Sequence, residues 1–221
     1  HSVTYLPNFS FGENDFNEQA ILNKSKKIHQ ELNLSWVGRI ADFKIHILNY
    51  SISKLSSYAA KTQTKIKFHI IGSGESEKLL KLDCQNQFFE IIQVGTLEKD
   101  EVDKYLDKNI DAMFSMGTSA LDGARLGLPV VLLDQSNTEI KDGYIFKFLF
   151  DSKGFDLGHP VSNSDFEIGN ETLETIISDL TLDYRNLSKR TLDYYCENHS
   201  IETVSLKLLN LLNNNSYSLH E

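Results

Sequence analysis

The chain has 221 residues, 40% of them hydrophobic and 24% charged, with a formal net charge of −9 at pH 7. This size and apolar content suit one large domain, or one domain with an appendage. The acidic balance argues against a nucleic-acid footprint or an anionic membrane surface as a partner, although one local basic pair is enough to bind a nucleotide. The two cysteines are far apart and lack CxxC spacing, so they indicate neither a disulfide framework nor a zinc site.

No apolar run approaches the length of a membrane span and no signal peptide is visible, so we expect a soluble, cytoplasmic protein. No histidine stands at metal-ligand spacing from a carboxylate or a cysteine, so we predict no metal site. The first residue is His1 and not Met, so we expect a piece of a longer chain, in which residues 1–2 are either a tag remnant or natural sequence.

From residue 34 the chain alternates apolar strands with helical patterns. The predicted strands cover residues 34–40, 67–72, 90–95, 111–116 and 129–134, and the predicted helices cover 44–61, 75–82, 98–106 and 119–126. Strands that alternate with helices through short connections predict an α/β fold with a doubly wound, Rossmann-like parallel sheet. We assign this domain to residues 34–165, with residues 1–33 as a connector and lead-in.

The alternation weakens beyond residue 134. We expect a helix within residues 137–150, a loop at 151–163, and closing helices at 171–180, 183–197 and 200–213. The region 166–213 is predicted to pack on the domain or to cross from it, and the tail 214–221 to fray. The last helix carries an apolar stripe wide enough to need a partner, formed by Ile201, Val204, Leu208, Leu211 and Leu212.

The stretch 115–134 (SMGTSALDGARLGLPVVLLD) organises the chain. It leaves a strand through Gly117 and Thr118 and enters a helix at Ser119, where Asp122 three residues later completes a capping-box pattern. The free N–H groups and the dipole of such a helix terminus favour a phosphate or nucleotide pocket. A well-capped strand–helix–strand unit without any ligand fits the local pattern equally well.

Other strand ends carry suggestive residues, and in an open parallel sheet ligands lie beyond the carboxyl ends of the strands. The first strand ends in Gly38 and Arg39, with Lys44 five residues later at a helix start. Arg and Lys together can bind a diphosphate, but the same two residues are equally consistent with ordinary solvated charges on the protein surface. The second strand ends in Gly72-Ser73-Gly74, which permits close backbone approach or is an ordinary tight turn.

In order along the chain, these features resemble the C-terminal, nucleotide-sugar-binding domain of GT-B glycosyltransferases of the retaining E-x7-E type. Residues 6–8 (LPN) are similar to the connector that enters that domain, and 37–44 to its GR-x4-K motif. Residues 71–74 are similar to its second-strand glycine turn, and 94–97 to the segment whose backbone meets the base. Residues 122–131 (DGARLGLPVV) are similar to EAMACGTPVV.

The resemblance spans roughly residues 5–212; no single motif is specific, but the ordered set is moderately so. It implies that Arg39 and Lys44 hold the donor diphosphate without a metal or other cofactor, and that Asp122 contacts the ribose. Glu139 follows the fifth strand within reach of a ribose or sugar, although an exposed loop glutamate is the better reading of that residue alone. The predicted donor-binding residues are Gly38, Arg39, Lys44, Gly72, Thr96, Leu97, Gly117, Thr118, Ser119, Asp122 and Glu139.

The sequence departs from the family pattern at Phe114, which stands eight residues before Asp122 where the family has its first glutamate. That glutamate contacts the donor sugar, so neither the sugar nor the stereochemical outcome is predicted. The same region resembles the non-hydrolysing sugar-nucleotide 2-epimerases, with Gly117-Thr118, Asp122 and Thr138-Glu139 in the corresponding parts. The GR-x4-K pair favours the transferase, and a non-catalytic nucleotide-binding module is a third hypothesis.

The resemblance implies a hexosyltransferase that moves a sugar from a nucleoside diphosphate sugar, UDP more than GDP, to an acceptor in bacterial surface polysaccharide synthesis. The acceptor site and catalytic base would belong to an N-terminal domain of the parent chain. The catalytic residues are therefore unknown, and we expect this chain alone to be inactive. Through that domain the protein would lie at the inner membrane peripherally.

Overall fold

The computed structural model describes residues 6–10, 18–166 and 172–214. Its strands are β1 Leu32–Val37, β2 Ile66–Ile71, β3 Phe89–Gly95, β4 Ala112–Ser115, β5 Val130–Leu132 and β6 Lys147–Phe148. Its helices are α1 Glu18–Lys27, α2 Asp42–Thr62, α3 Lys99–Asn109, α4 Thr118–Arg125, α5 Thr172–Leu182, α6 Tyr184–Asn198 and α7 Ile201–Asn214. None of the helices in these ranges is both long and apolar enough to cross a membrane.

The six strands form one sheet in the order β3-β2-β1-β4-β5-β6. The pairings from β3 to β5 are parallel, and β6 is antiparallel to β5. Because the chain moves from β1 to β2 on one side and later to β4 on the other, the connections diverge between β1 and β4. The prediction of a doubly wound parallel sheet is confirmed, with β6 as an addition that the sequence pattern did not predict.

Apolar side chains fill both faces of the sheet, which is why the strands read as continuous hydrophobic runs. On one face Trp36, Phe68 and Phe114 pack with the buried stripe of α2. On the other face Met113 and Val130 pack with the buried residues of α3 and α4. The sheet is thus enclosed between two helical layers, and its strand ends are held rigidly.

Two predicted helices are wrong. Residues 75–82 form only the short 3₁₀ turn Glu77–Leu79, and a second 3₁₀ turn follows at Leu82–Cys84. The amide of Ser76 donates to the carbonyl of Ile40 at 3.1 Å, which ties this segment to the β1 turn before a helix can extend.

The second wrong prediction is the helix within residues 137–150, where the structure has β6 and the 3₁₀ turn Leu149–Asp151. Tyr144, Phe146 and Phe148 are buried and alternate with less buried residues, a period of two that is typical of a strand. Their rings pack edge to face or stacked with neighbouring aromatics, so this segment extends the sheet.

The closing helices begin and end within about two residues of the prediction, but the α7 stripe is largely uncovered. Val204 is 6% exposed, whereas Leu208 is 42% and Leu212 63% exposed. Near the other end of the chain, Ile21 of α1 belongs to the same apolar cluster as the β1 side chains. The proposed domain boundaries stay predictions.

Gly72 fixes the geometry of the first two strand ends. It has φ +124°, and a Cβ atom at this position would lie 2.3 Å from the carbonyl oxygen of Gly38. Its amide donates to the carbonyl of Gly95 at 2.7 Å, and the Gly38 amide donates to Ile71 at 3.0 Å. Three successive strand ends are therefore in backbone contact, which only a residue without a side chain permits at Gly72.

We expect Gly72→Ala to destabilise the protein more than the matched substitution Gly95→Ala. Both positions have positive φ, which strains an alanine, but a Cβ on Gly95 meets nothing within 4 Å. At Gly72 the clash with backbone adds an overpacking cost of about 1–3 kcal/mol. Urea denaturation of both variants measures the difference, and equal losses would contradict the close approach.

Candidate functional site

The turn after β1 and the start of α4 meet at the point where the strand connections diverge. A Cβ atom on Gly38 would lie 3.6 Å from the Lys44 ammonium and 3.9 Å from the Ser119 hydroxyl. The carboxyl end of β1, the first turn of α2 and the first turn of α4 therefore converge on one spot. This is where open α/β sheets bind their ligands.

The first turn of α4 carries no side-chain cap. Its N-cap residue is Gly117, with φ 65° and ψ −151°, so the predicted capping box from Ser119 to Asp122 is wrong. The Ser119 hydroxyl instead donates to the carbonyl of Met116 at 2.9 Å and lies 2.7 Å from the Ser115 hydroxyl. Side-chain acceptors are thus directed away from the amides of Thr118 and Ser119, which leaves the positive end of the helix dipole open to an anion.

Lys44 lies beside this helix terminus, and the exposed Arg39 directly follows Gly38 in the chain. Lys44 is half-buried, with its ammonium 5.9 Å from the ring centre of Trp36 and 5.6 Å from that of Phe43. Burial, and secondarily the charge of Arg39, lowers the pKa of Lys44. No carboxylate in the described part of the chain forms an ion pair with either residue. An anion placed between them would relieve their mutual repulsion.

The next strand ends continue the same edge. The Ser73 hydroxyl, beside Gly72, lies 2.8 Å from the Thr96 hydroxyl. Thr96 is exposed, and Leu97 is partly buried against the second apolar face. The predicted residues Gly38, Gly72 and Thr96 are therefore brought into one row across β1, β2 and β3.

Asp122, in the second turn of α4, is partly buried. Its carboxylate accepts a hydrogen bond from the Ser10 hydroxyl. Burial raises the pKa of Asp122, while the Ser10 bond and the charges of Lys99 and Arg125 oppose the rise. The Ser10 carbonyl accepts in turn from the Tyr195 hydroxyl at 3.2 Å. The segment 6–10 is thereby tied to both α4 and α6, a link that the sequence did not predict.

Glu139 is not brought to this group. It is exposed and lines a groove along the outer side of α2 with His46, Asn49 and Lys54. The loop after β5 runs there because the Ser136 amide donates to the carbonyl of Phe43 at 2.9 Å. The reading of Glu139 as an exposed loop glutamate agrees with this position.

A charged network that sequence reasoning missed surrounds Asp134, at the carboxyl end of β5. Its buried carboxylate accepts from the Tyr144 hydroxyl at 2.9 Å, the Lys147 ammonium at 3.1 Å and the His159 amide at 3.2 Å. The only sequence signal is an acidic residue that directly follows the apolar run VVLL. A buried carboxylate needs such donors, so their presence could be anticipated but their identity could not.

The same network contains ligand-type atoms close to one another. Among the described residues, Asp134, Asp156 and His159 offer oxygen and nitrogen atoms within 4.8 Å of each other. The Lys147 ammonium already occupies one Asp134 oxygen, and a divalent cation would meet its charge directly. We therefore interpret this group as a network of paired charges and not as a set of metal ligands.

The fold was compared with known proteins. No family model matches the sequence, and no curated protein sequence matches it significantly. Among solved structures, WaaG, a glycosyltransferase involved in lipopolysaccharide biosynthesis, matches with a TM-score of 0.54 at 15% identity, over 95% of this chain and 56% of that chain. Anabaena HepE in complex with UDP matches with a TM-score of 0.50 at 12% identity, over 92% of this chain and 56% of that chain.

In fold, the chain is similar to part of these two structures. The predicted fold class, a Rossmann-like doubly wound sheet that makes one half of a GT-B fold, is confirmed. A trehalose-6-phosphate synthase matches as well, with a TM-score of 0.50 at 10% identity, over 90% of this chain and 51% of that chain. The chain thus spans little more than half the length of these glycosyltransferases.

The first glutamate of the E-x7-E motif is replaced by Phe114 in this chain. Phe114, which stands at the position of the first glutamate, is fully buried. Its ring packs edge to face at 6.2 Å from Phe68 and 6.0 Å from Phe146. A core aromatic residue replaces the carboxylate, so this position supplies packing and no contact with a sugar.

We expect Ser10→Ala to destabilise the protein at pH 7 by about 1.5 kcal/mol, the usual size for a hydrogen bond to a charged group. Since Ser10 lowers the raised pKa of Asp122, its loss raises that pKa further. The difference in free energy of unfolding between wild type and Ser10→Ala is therefore largest above the pKa values of Asp122 in both proteins. It shrinks as the pH falls through these two values.

Urea denaturation between pH 7 and pH 4 measures this difference. Ser73→Ala, which removes an exposed hydroxyl whose one side-chain partner among residues 6–10, 18–166 and 172–214 is Thr96, is the matched control and should cost little at any pH. If the loss in free energy of unfolding for Ser10→Ala stays constant across this pH range, the Ser10 hydroxyl does not donate to an ionised Asp122.

Proposed function

We propose that this chain is the donor-binding domain of a glycosyltransferase, which holds a nucleoside diphosphate sugar at the carboxyl edge of its sheet. The observation that carries the proposal is that the Lys44 ammonium and the uncapped first turn of α4 converge on Gly38, and that Arg39, whose charge acts on Lys44, directly follows Gly38 in the chain. The protein has a net charge of −9, so a concentrated positive spot at the strand ends requires an explanation. A diphosphate provides one, because its charges match the cations and the helix amides.

The chemistry follows from where charge develops. In glycosyl transfer the bond between the anomeric carbon and the diphosphate oxygen breaks, and the leaving nucleoside diphosphate takes the electron pair. Arg39 would bind phosphate oxygens with its planar fork, and Lys44 would supply a point charge. The amides of Thr118 and Ser119 would stabilise the growing negative charge through the helix terminus. These groups perform the task for which other transferases use a divalent metal, so we propose that none is required.

We propose UDP as the nucleotide of the donor. The structurally similar HepE was solved in complex with UDP, and the row of strand ends offers a place for each part of that molecule. The backbone at Thr96 and Leu97 would meet the base, and the carboxylate of Asp122 would accept from a ribose hydroxyl. Binding there would require Asp122 to share its oxygens between Ser10 and the ribose.

The complete reaction needs more than this chain supplies. The chain spans about half of the glycosyltransferases that it resembles in fold, so we propose that the acceptor site and catalytic base lie on a second domain of the parent protein. Without that domain the chain would bind the donor and transfer no sugar. WaaG is involved in lipopolysaccharide biosynthesis, and we propose a comparable surface-polysaccharide role for the parent.

The epimerase alternative has less support. It requires Thr138 and Glu139 to act together with Gly117 and Asp122 on one ligand. Glu139 instead lines the groove along the outer side of α2, apart from the residues around Gly38. This position of Glu139 argues against the epimerase arrangement and equally against the predicted contact of Glu139 with a donor ribose or sugar, so the transferase proposal depends on Arg39 and Lys44.

We expect the wild-type chain to bind UDP, and Arg39→Ala and Lys44→Ala each to weaken binding by about 1.5–3 kcal/mol, the range for a lost charge-assisted hydrogen bond. Isothermal calorimetry with UDP measures the change. This corresponds to about a tenfold to hundredfold rise in Kd.

Lys54→Ala is the matched control. Lys54 lies on the same helix α2 as Lys44, but its ammonium pairs with Asp142 at 2.9 Å on the outer groove. Its removal should leave UDP affinity unchanged. If Arg39→Ala and Lys44→Ala bind UDP as tightly as wild type does, the two cations do not form the diphosphate site.

A further inference from the structure

A segment from a distant part of the chain completes the turn at the start of α4. The amide of Gly117 donates to the carbonyl of Leu157 at 2.6 Å. A Cβ atom on Gly158 would lie 2.5 Å from the Leu133 carbonyl oxygen and 3.2 Å from the Cβ atom of Met116. Segment 157–159 therefore packs directly on the backbone that leads into the helix terminus.

Carboxylates flank both ring nitrogens of the histidine at the end of this segment, and its side chain is 37% exposed. The Nδ1 atom of His159 lies 2.7 Å from Asp156 and 3.3 Å from Asp134, and its Nε2 atom lies 3.1 Å from Asp165. Both ring nitrogens thus face ionised carboxylates, which accept hydrogen bonds and cannot donate them. A neutral imidazole has one N–H group and one lone pair, so its lone pair would face a carboxylate; only the imidazolium donates to both sides.

The surrounding charges agree with this protonation state. The groups that face His159 are the carboxylates of Asp134, Asp156 and Asp165, with the Lys147 ammonium and the Tyr144 hydroxyl behind Asp134. Burial by itself lowers the pKa of His159, but its hydrogen bonds to Asp156 and Asp165, together with the charges of Asp134 and Asp156, outweigh burial and raise that pKa. Hydrogen bonds from Ser162 and His159 lower the pKa of Asp165 despite its own burial.

We propose that the imidazolium of His159 is a positioning residue for the donor site, because it holds segment 157–159 against the Gly117 turn and so fixes the first turn of α4. The backbone bond from Gly117 to Leu157 transmits this constraint, and the His159 carbonyl extends it by accepting from the Gln135 amide at 2.9 Å. His159 thus acts through Gly117 on the amides that would receive the phosphate. The inference rests on the proposed function, since it concerns the same site.

The consequence is a dependence of donor binding on pH. A histidine whose pKa is raised in the folded protein contributes stability that is complete below its unfolded pKa of about 6.5 and is lost as the pH rises through the folded value. The segment therefore loosens on the alkaline side. UDP affinity should fall there by more in wild type than in a chain without this histidine, since the loss of charge from Lys44, whose pKa is lowered, and the ionisation of the uracil ring weaken binding in both.

The experiment combines two measurements on the full chain. NMR titration of the histidine ring signals without nucleotide, assigned with His159→Gln, gives the pKa of His159. Calorimetry with UDP at pH 7 and pH 9 then compares wild type, His159→Gln and the exposed control His29→Gln. We expect wild type and His29→Gln to lose affinity about fivefold or more between the two pH values, a typical coupling between sites. His159→Gln should bind weakly at both, with a smaller change.

Asp165→Asn provides a second test that does not depend on the folding of His159→Gln. It removes the carboxylate at Nε2 and keeps the partners of Nδ1, so it should lower the pKa of His159 and shift the fall in UDP affinity to lower pH. A His159 pKa at or below its ordinary value would overturn the inference.

The other outcomes separate the two proposals. UDP binding by wild type with the same pH dependence in His159→Gln would overturn the role of His159 and leave the donor site intact. Failure of wild type to bind UDP at either pH would overturn both, even with a raised pKa at His159.

Discussion

The contact between Gly72 and the Gly38 carbonyl is the constraint on which the candidate site depends. The two turns interlock through backbone atoms, and the Trp36 indole donates to the same Gly38 carbonyl at 3.2 Å. The β1 turn is thus held against the β2 turn at the place where the Lys44 ammonium and the Ser119 hydroxyl both lie close to Gly38. A site built on interlocked strand ends is preorganised, and a ligand that fits it loses little free energy in ordering the protein.

Charge pairing explains how an acidic protein presents a positive site. Near the strand ends, Asp134 is neutralised by Lys147 and by hydrogen-bond donors, and Asp122 accepts from Ser10. These carboxylates are satisfied within the protein and do not compete for Arg39 and Lys44. The two cations and the α4 terminus thus remain available to an external anion, which is the property a diphosphate site needs.

The sequence predicted the sheet because its strands are buried on both faces, and it predicted the row from Gly38 to Thr96 because parallel strand ends share one edge. It did not predict the α4 cap, since Ser119 and Asp122 fit a capping box, but Ser119 donates to Met116, three residues earlier, and Asp122 accepts from Ser10, which is distant in sequence. The His159 network was missed for the same reason. Asp156, His159 and Asp165 are close in sequence, but Asp134 joins them only through the fold.

Amide chemical-shift mapping with UDP tests the central claim most directly, because it monitors the backbone N–H groups along the whole chain in one experiment. The account predicts that the largest shifts fall on the turn after β1 and on residues 117–119, with smaller ones near Thr96. The outer groove of α2, marked by Asn49 and Glu139, should show no comparable change. Shifts confined to that groove, or spread without regard to the strand ends, would contradict a donor site at the carboxyl edge of the sheet.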